Sequence, residues 1–192
     1  MAELLLQQTD APKAVPVYEK LIAKYPTVEQ LARAHLHTIQ LLLSPLGLDY
    51  RAPRLRMAAK LVVRKYGGEV PSDESELLQM TGIGRYMARS VCAVAYGQRK
   101  GILDTNVIRI VERFFGVESR RKRPREDLGL WRLVDALVPN DGRVDVAQWN
   151  WSLLDFGAII CTVRNPRHDE CPLRHWCSDA SRSDGPANSI QH

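Results

Sequence analysis

Apolar residues recur along most of this chain at intervals of three and four, which is the spacing of one face of an α-helix. No stretch alternates convincingly between apolar and polar residues, so the pattern predicts no β-strand. Prolines and glycines separate the predicted helices. These helices cover residues 16–25, 28–43, 51–66, 85–96, 105–115, 128–138 and 146–160. The sequence therefore predicts an all-α fold.

Several helix ends are marked by residues that suit those positions. Gly67–Gly68 follows one helical run and Gly116 follows another, and glycine is the common residue after a helix C-terminus. Asp73 and Glu76 have the spacing of a capping box, so we expect a further short helix to begin there.

Composition narrows the possible classes of protein. With 192 residues, 45% of them apolar, the chain can form one large domain or two small lobes with a packed core. The net charge of +5 favours an anionic partner, although many basic proteins bind no nucleic acid. No apolar run is long enough to span a membrane, and the N-terminus lacks the basic leader of a signal peptide. We expect a cytoplasmic protein with no membrane partner.

A glycine turn between two helices is the first candidate for chemistry. Gly82 and Gly84 let the backbone turn sharply and approach another molecule closely. Amides of such a turn at a helix N-terminus can bind an anion. Asp104 follows eighteen residues after Tyr86 and offers an isolated carboxylate.

Two further segments carry unusual composition. Residues 119–125 contain five basic residues in seven, which indicates either a loop that follows a phosphate backbone or a solvated loop between helices. Three of the four cysteines fall within 161–177, and such clustering in a reducing compartment indicates metal binding rather than disulfides. Cys92 lies alone in a helical pattern, so we expect it in the core.

The hairpin, the spaced aspartate and the cysteine segment together resemble the helix–hairpin–helix DNA glycosylases of the endonuclease III superfamily. Glu3–Thr9 and residues 12–33 are similar to adenine DNA glycosylases of the MutY type. Residues 153–177 resemble the helix and loop that carry the family's iron–sulfur cluster. The resemblance implies an all-α, two-lobed helix–hairpin–helix glycosylase fold with a C-terminal iron–sulfur-type loop.

The same resemblance implies a division of the chain. One lobe, 1–100, would carry the hairpin, and a second, 101–180, would carry the aspartate and the metal loop, with a DNA groove and base pocket between them. We expect the polar segment after Cys177, and 181–192 in particular, to be a disordered tail. Relatives carry about two dozen residues before the position of Glu3. We therefore expect either that the start codon is assigned too late or that the lobe built by this N-terminal segment is shortened.

Catalytic roles come from the resemblance by position. Asp104 would stabilise the positive charge that develops on the deoxyribose, and Glu3 would be the general acid that assists the departing base. Asn106 would orient the site, although an asparagine at a helix start can also be a cap. Glu3 can also be a terminal residue with no role.

Tyr86 indicates the subclass of reaction. Strand-cleaving relatives have a lysine there that forms a Schiff base, and a tyrosine has no amine to do so. Lys100 is out of register with that position. We therefore expect a monofunctional glycosylase, unless Tyr86 is simply a core aromatic.

DNA-binding roles also follow from the resemblance. The glycine turn would bind a phosphate, and the first helix would contact the base pocket or fill the vacated space. The residues implied are Gln7, Gln8, Gly82, Ile83, Gly84 and Arg85.

The metal loop departs from the family pattern at one position. The family spacing places four cysteines around a 4Fe-4S cluster, whereas this chain has His168 at the second position beside Cys161, Cys171 and Cys177. Histidine can ligate iron–sulfur clusters, zinc also accepts three cysteines and one histidine, and a loop without metal is the third possibility. Arg164, Arg167 and Arg174 would lie near phosphates.

The resulting hypothesis is a monomeric DNA glycosylase of base excision repair in a prokaryotic cytoplasm, at the nucleoid when bound to double-stranded DNA. Adenine opposite guanine or oxidised guanine is slightly favoured as the excised base. Thymine or uracil opposite guanine is the alternative, since the domain that recognises 8-oxoguanine in MutY-type enzymes is not seen and Thr105 stands where the adenine branch often has glycine. A catalytically degenerate DNA-binding relative is the third hypothesis.

Overall fold

The computed structural model describes residues 1–7, 9–47 and 50–183. Helices and turns make up this part of the chain, and it contains no β-strand, which confirms the predicted all-α fold. Within the same residues, no helix is both long and apolar enough to cross a bilayer. The chain divides into two compact units, one of residues 1–90 and one that begins at Val91. The predicted lobe bounds at residues 100 and 180 stay a prediction.

Unit 1 is built around helix α5, whose bounds and C-terminal glycine agree with the sequence pattern. Gly67 adopts the left-handed conformation, and its amide closes the helix on the carbonyl of Val62. The core of this unit is made by helices α1 to α5 and Met87 of α7, with aliphatic side chains such as Leu21 and Ile39, both fully buried. The helices are α1 Ala2–Leu6, α2 Ala11–Lys24, α3 Val28–Arg33, α4 Leu36–Leu43, α5 Arg51–Tyr66, α6 Glu74–Leu78 and α7 Arg85–Ser90.

Unit 2 is centred on the strongly amphipathic helix α8, which packs between α9 and α10. Val107 and Val111 of its buried face form a core cluster with Leu103, which precedes the helix, and with Trp131 and Val134 of α9. Short 3-10 turns lie at Pro124–Glu126, His168–Glu170 and Arg174–Trp176. The helices are α8 Thr105–Phe115, α9 Leu128–Leu137, α10 Val146–Ile159 and α11 Ser178–Ser183.

Two predicted helices differ from the observed ones in unit 1. Helix α2 begins at Ala11 rather than at residue 16, because Pro12 lies in its first turn, where a missing N–H costs no hydrogen bond. The predicted helix 28–43 is two helices, because Ala34 and His35 are extended and let α3 and α4 pack separately on α5.

Two more differences concern the later part of the chain. The predicted helix 85–96 changes from an α-helix to a π-helix at Val91–Ala95. The expectation of disorder after Cys177 is wrong for α11, where Ala180 is only 1% exposed and anchors the helix in unit 2. The rest of the predicted tail, 184–192, lies outside the described residues. Cys92 is fully buried, as expected.

Candidate active site and metal-binding loop

Asp104 occupies the N-cap position of α8, and both of its carboxylate oxygens are held. Oδ1 accepts the backbone amide of Val107 at 2.8 Å, which is the usual cap contact. Oδ2 accepts the side-chain amide of Asn106 at 3.0 Å. Because each carboxylate oxygen has two lone pairs, these contacts fix the orientation of the group and leave acceptor capacity on both atoms.

The segment that leads into Asp104 is held by the two helices that flank it. The amide of Gly101 donates to Asp135 Oδ1 of α9 at 2.9 Å, and the amide of Ile102 donates to Asn150 Oδ1 of α10 at 2.8 Å. Asn150, which is 1% exposed, also donates to the carbonyl of Lys100. The position of the Asp104 backbone is therefore set before α8 begins.

Arg109 connects Asn106 to the start of the cysteine loop. Its Nη2 donates to Asn106 Oδ1 at 2.9 Å and to the carbonyl of Gly157 at 2.6 Å, and its Nε donates to the carbonyl of Cys161 at 2.6 Å. A Cβ atom at position 157 would lie 2.6 Å from Asn106 Cβ, so only glycine permits this close approach of α10 to α8. Hydrogen bonds thus run without a break from Asp104 to Cys161.

The four predicted metal ligands of unit 2 line a single cavity with apolar walls. No disulfide joins the cysteines. The side chains around the cavity include Cys161, His168, Cys171, Cys177, Phe114 and Phe156. Three thiols and one imidazole are ligands that iron–sulfur clusters accept, so the residues fit such a group.

A site for one metal ion is less compatible with this arrangement. Among the described residues, no three His, Cys, Asp or Glu side chains converge closely enough to hold one ion. A zinc ion requires all four ligand atoms within about 2.3 Å of one point. The ligands of an iron–sulfur cluster bind several irons, so their atoms do not have to converge on one point.

Arg113 lines the same cavity, and Asp179 contacts both Arg113 and His168. Arg113 Nη1 lies 3.6 Å from Cys161 Sγ and donates to the carbonyl of Thr162 at 2.6 Å. Asp179 Oδ2 lies 3.8 Å from Arg113 Nε and 3.3 Å from His168 Nε2. Helix α8 therefore carries Asp104 at one end and a side chain that holds the cysteine loop near the other.

The glycine turn of unit 1 has two glycines with different requirements. Asp73 caps α6 through the amides of Ser75 and Glu76, as the capping-box pattern predicts. Gly82 has φ +85°, and a Cβ atom there would lie 3.0 Å from Arg54 Cδ. At Gly84 a Cβ atom would meet nothing within 4 Å. The fold of the turn thus requires glycine at position 82, whereas packing within the protein gives no reason for one at 84.

Glu3 and Gln7 lie on the N-terminal segment of unit 1. Ser90 Oγ donates to Glu3 Oε1 at 2.7 Å, and Ser90 is 3% exposed. Gln7 Nε2 lies 3.5 Å from the carbonyl of Gly82, at the weak limit for a hydrogen bond. Buried Arg51 holds the segment by donating to the carbonyls of Leu5 and Gln7 and to Thr9 Oγ1.

The remaining predicted site residues also belong to unit 1. Tyr86 is half-buried and packs against the core of unit 1. Ile83 also packs there, Arg85 is half-buried, and Gln8 lies outside the described residues.

Sequence analysis missed the side chains that hold these groups, namely Ser90, Arg51, Arg109 and Arg113. For Arg109 there was one local signal, because Asn106 lies three residues earlier on the same helix and such residues share a face. For Arg51 and Ser90 there was none, since their partners lie more than forty residues away.

An α-helical hairpin with a glycine turn, a fixed carboxylate at a helix start and a cysteine loop define the helix–hairpin–helix class of DNA glycosylases. Residues 1–135 match the model of the HhH-GPD superfamily base excision DNA repair proteins, and the chain belongs to this family. Residues 161–177 match the iron–sulfur binding domain of endonuclease III. The predicted family, the DNA glycosylase class and the iron–sulfur-type loop are thereby confirmed.

Known relatives fall into two groups by the base in their names. The chain is 35% identical over 174 residues to a thymine/uracil-DNA glycosylase of Pyrobaculum aerophilum, with 90% of this chain and 75% of the relative covered. It is 38% identical over 179 residues to a thymine-DNA glycosylase of Aeropyrum pernix, covering 92% and 79%. An adenine DNA glycosylase of Buchnera aphidicola is 31% identical over 179 residues, covering 92% and 50%.

Solved structures agree with this family. A thermostable thymine-DNA glycosylase superposes with a TM-score of 0.86 and 31% identity, covering 94% of this chain and 82% of that one. A trapped endonuclease III–DNA covalent intermediate gives a TM-score of 0.76 and 25% identity, covering 95% and 83%.

Proposed function

We propose that this protein is a monofunctional DNA glycosylase that removes thymine or uracil mispaired with guanine and leaves an abasic site. The observation that carries the catalytic part is the carboxylate of Asp104, fixed by Val107 and Asn106 at the start of α8. A carboxylate held in advance of the reaction stabilises developing positive charge without first having to reorganise.

The proposed reaction breaks the bond between the base and C1′ of deoxyribose. The target nucleotide must first leave the helical stack, because an enzyme cannot reach the bond that it breaks while the nucleotide lies inside the duplex. As the bond lengthens, its electron pair moves to the base and positive charge develops on the sugar, where the Asp104 carboxylate stabilises it. Water then adds to C1′ and releases one of its protons to the solvent. Glu3, held by Ser90, is the proposed proton donor to the departing base.

Tyr86 supports the monofunctional assignment. A lyase of this family needs an amine that forms an imine with the sugar, and a phenol cannot do so. The proposed enzyme therefore stops at the abasic site and does not cleave the strand.

The identity of the base is proposed from similarity. The two relatives named for thymine are 35% and 38% identical, against 31% for the adenine enzyme. The solved structure of a thermostable thymine-DNA glycosylase also superposes on this chain with a TM-score of 0.86. Adenine stays the second candidate, because the Glu3–Ser90 contact supplies the held general acid that an adenine leaving group needs.

A single-turnover assay tests the proposal. Four labelled duplexes carry G·T, G·U, A·G or A opposite 8-oxoguanine, and hot alkali reveals abasic sites. We expect alkali-labile sites in the first two, and a loss of roughly 10³-fold in rate with Asp104→Asn. Asp155→Asn, which changes an exposed carboxylate on α10, is the matched control with an unchanged rate.

Each alternative outcome has a definite meaning. Cleavage of the adenine duplexes alone would transfer the assignment to adenine. Duplex binding with no alkali-labile site in any duplex would leave a non-catalytic DNA-binding protein. An enzyme–DNA adduct trapped by borohydride would contradict the monofunctional assignment.

We also propose that Cys161, His168, Cys171 and Cys177 hold a 4Fe-4S cluster. When bound, such a cluster holds the loop together, while Asp104 and Glu3 do the proposed chemistry. Asp179 beside His168 Nε2 supports the histidine, because ligating imidazoles usually bond a carboxylate through their other ring nitrogen.

Elemental analysis and spectroscopy test the metal assignment. We expect about four irons per chain, and a lower reduction potential in His168→Cys, because imidazole ligands raise cluster potentials. One zinc per chain, or no metal after anaerobic purification, would overturn it. Iron content unchanged in His168→Ala would remove the histidine from the ligand set.

A further inference from the structure

The basic loop of unit 2, Ser119–Arg125, is held by its backbone. Asp127 Oδ2 accepts from Ser119 Oγ at 2.9 Å and from the amide of Arg120 at 3.1 Å. Glu112 of α8 accepts the amide of Ser119 at 3.1 Å. At the other end, the indole of buried Trp131 donates to the carbonyl of Arg125 at 2.8 Å. A solvated linker does not need such support.

In the described part of the chain, the carboxylates next to the loop mostly contact its backbone rather than its basic side chains. Neighbouring Asp127 and Glu112 use carboxylate oxygens for backbone amides of the loop. Arg123 forms an ion pair with Glu126. The other four basic side chains are exposed and have no ion pair within the described part of the chain: Arg120, Arg121, Lys122 and Arg125.

An open groove joins this loop to the start of α8. Thr105, Arg109 and Glu112 line one wall, and Lys122, Arg123 and Arg125 line the other. Thr105 directly follows Asp104 in the chain, so the groove begins one residue from the proposed catalytic aspartate. Thr105 and Glu112 are seven positions apart, which corresponds to about 10 Å of helix. Since a DNA strand advances about 3.4 Å per nucleotide, that length corresponds to roughly three nucleotides.

We propose that the Ser119–Arg125 loop is a binding site for the DNA sugar-phosphate backbone, about three nucleotides from the extruded base. This inference rests on the proposed function, because Asp104 provides the reference point for the nucleotide count. The loop binds phosphates without reading bases, and because its backbone is already held, binding does not have to order a flexible backbone.

The test measures binding separately from excision. The probe is a duplex with a tetrahydrofuran abasic analogue opposite guanine, which cannot be cleaved and does not depend on the excised base. The variant R121Q/K122Q removes two exposed charges from the loop. The matched control R132Q/R143Q removes two exposed charges elsewhere in unit 2. Each protein is the full chain, and its affinity is measured by fluorescence anisotropy over a range of salt concentrations.

We expect R121Q/K122Q to weaken binding roughly tenfold at physiological salt and to lower the slope of log K against log salt by about two. The control should keep the wild-type slope. Methylphosphonates placed about three nucleotides from the analogue should weaken wild-type binding and leave the loop variant little changed. A melting temperature equal to that of the wild type excludes misfolding as the cause.

Three results discriminate between the two proposals. If the loop variant and the control have the same slope, the loop is solvated and the inference is overturned, while excision of mispaired bases can still support the proposed function. If neutral phosphates near the lesion affect wild type and variant equally, the loop does not contact that part of the strand. If the slope changes but the wild type excises no base, the loop binds DNA and the proposed function fails.

Discussion

Arg51 of unit 1 and Arg109 of unit 2 both hold a segment that carries predicted functional residues, yet their contacts differ. Arg51 is 1% exposed and donates to two backbone carbonyls and the hydroxyl of Thr9. Arg109 is half-buried and donates to two carbonyls at 2.6 Å and to the side chain of Asn106, which in turn donates to Asp104. One arginine thus supports a backbone, and the other supports a side chain next to the proposed chemistry.

The functional segments of the two units are also held by different kinds of contact. In unit 1 the glycine turn depends on backbone conformation at Gly82 and on core packing. In unit 2 the entry to Asp104, the cysteine loop and the basic loop are all held by polar side chains: Asn150, Arg109, Arg113 and Asp127. We infer that substitution of Arg51 in unit 1 affects stability, whereas substitution of the holding residues in unit 2 also affects catalysis.

The largest effect is expected at Arg51. Arg51→Met removes the donors for two carbonyls in a buried environment, which costs about 3 kcal/mol of unfolding free energy. Chemical denaturation measures this loss, and the single-turnover rate of the protein that stays folded should change little. Arg64→Met, an exposed position on the same helix, is the control. A large fall in rate without loss of stability would remove the contrast between the units.

At Arg109 we expect a smaller loss of stability together with a loss of rate. Arg109→Met removes the donor to Asn106 Oδ1, so Asn106 is held less firmly and Asp104 is oriented less well. We expect about 2 kcal/mol less stability and a rate lowered by roughly tenfold or more. Lysine should not restore the rate, because it lacks the planar fork that reaches several acceptors. An unchanged rate in a destabilised Arg109→Met variant would show that the hydrogen bonds from Asp104 to Cys161 are only structural.

The two glycines of the turn sharpen the comparison inside unit 1. Gly82→Ala forces a side chain into the left-handed region and toward Arg54, so we expect a loss of about 1–2 kcal/mol in stability. Gly84→Ala meets no protein atom, so its melting temperature should equal that of the wild type. If the turn binds a phosphate closely, Gly84→Ala nevertheless weakens DNA binding. Equal DNA affinity in Gly84→Ala and wild type would remove position 84 from the proposed interface.

The smallest effect is expected from the pH dependence of Asp127. The hydrogen bond from Ser119, followed by the amide of Gly129, lowers the pKa of this carboxyl below its ordinary value. Because the folded-state pKa is the lower one, the stabilisation is present above the ordinary aspartate pKa of about 3.9 and is lost as the pH falls through the folded-state value. The stability difference between wild type and Asp127→Asn should therefore be constant near neutral pH and shrink below about pH 4. A difference that does not change with pH would contradict this account.

Features that depend on contacts between residues close in the chain were predicted from the sequence, whereas features that depend on contacts between distant residues were not. Helix α5 and the cap at Gly67 agree with the prediction because their hydrogen bonds join residues at most five apart. The break at Ala34–His35 was missed because it depends on how α3 and α4 pack on α5. The helix after Cys177 was missed because its composition is polar and a single buried residue, Ala180, anchors it.

In the candidate site, too, local features were predicted from the sequence and long-range contacts were not. Residue types at fixed spacing were enough to single out Gly82, Asp104 and the cysteine segment, since turns, caps and metal loops are local in the chain. The contact of Ser90 with Glu3, and those of Arg109 with Gly157 and Cys161, join residues 48 to 87 positions apart.

By itself, the sequence determined the helical class, the family and the identity of the reactive groups, because periodicity, capping and ligand spacing are encoded over a few residues. Only the tertiary structure decided which side chains hold those groups in place. Such contacts form when distant helices pack together, and an arginine in a sequence does not reveal which carbonyls will lie within its reach.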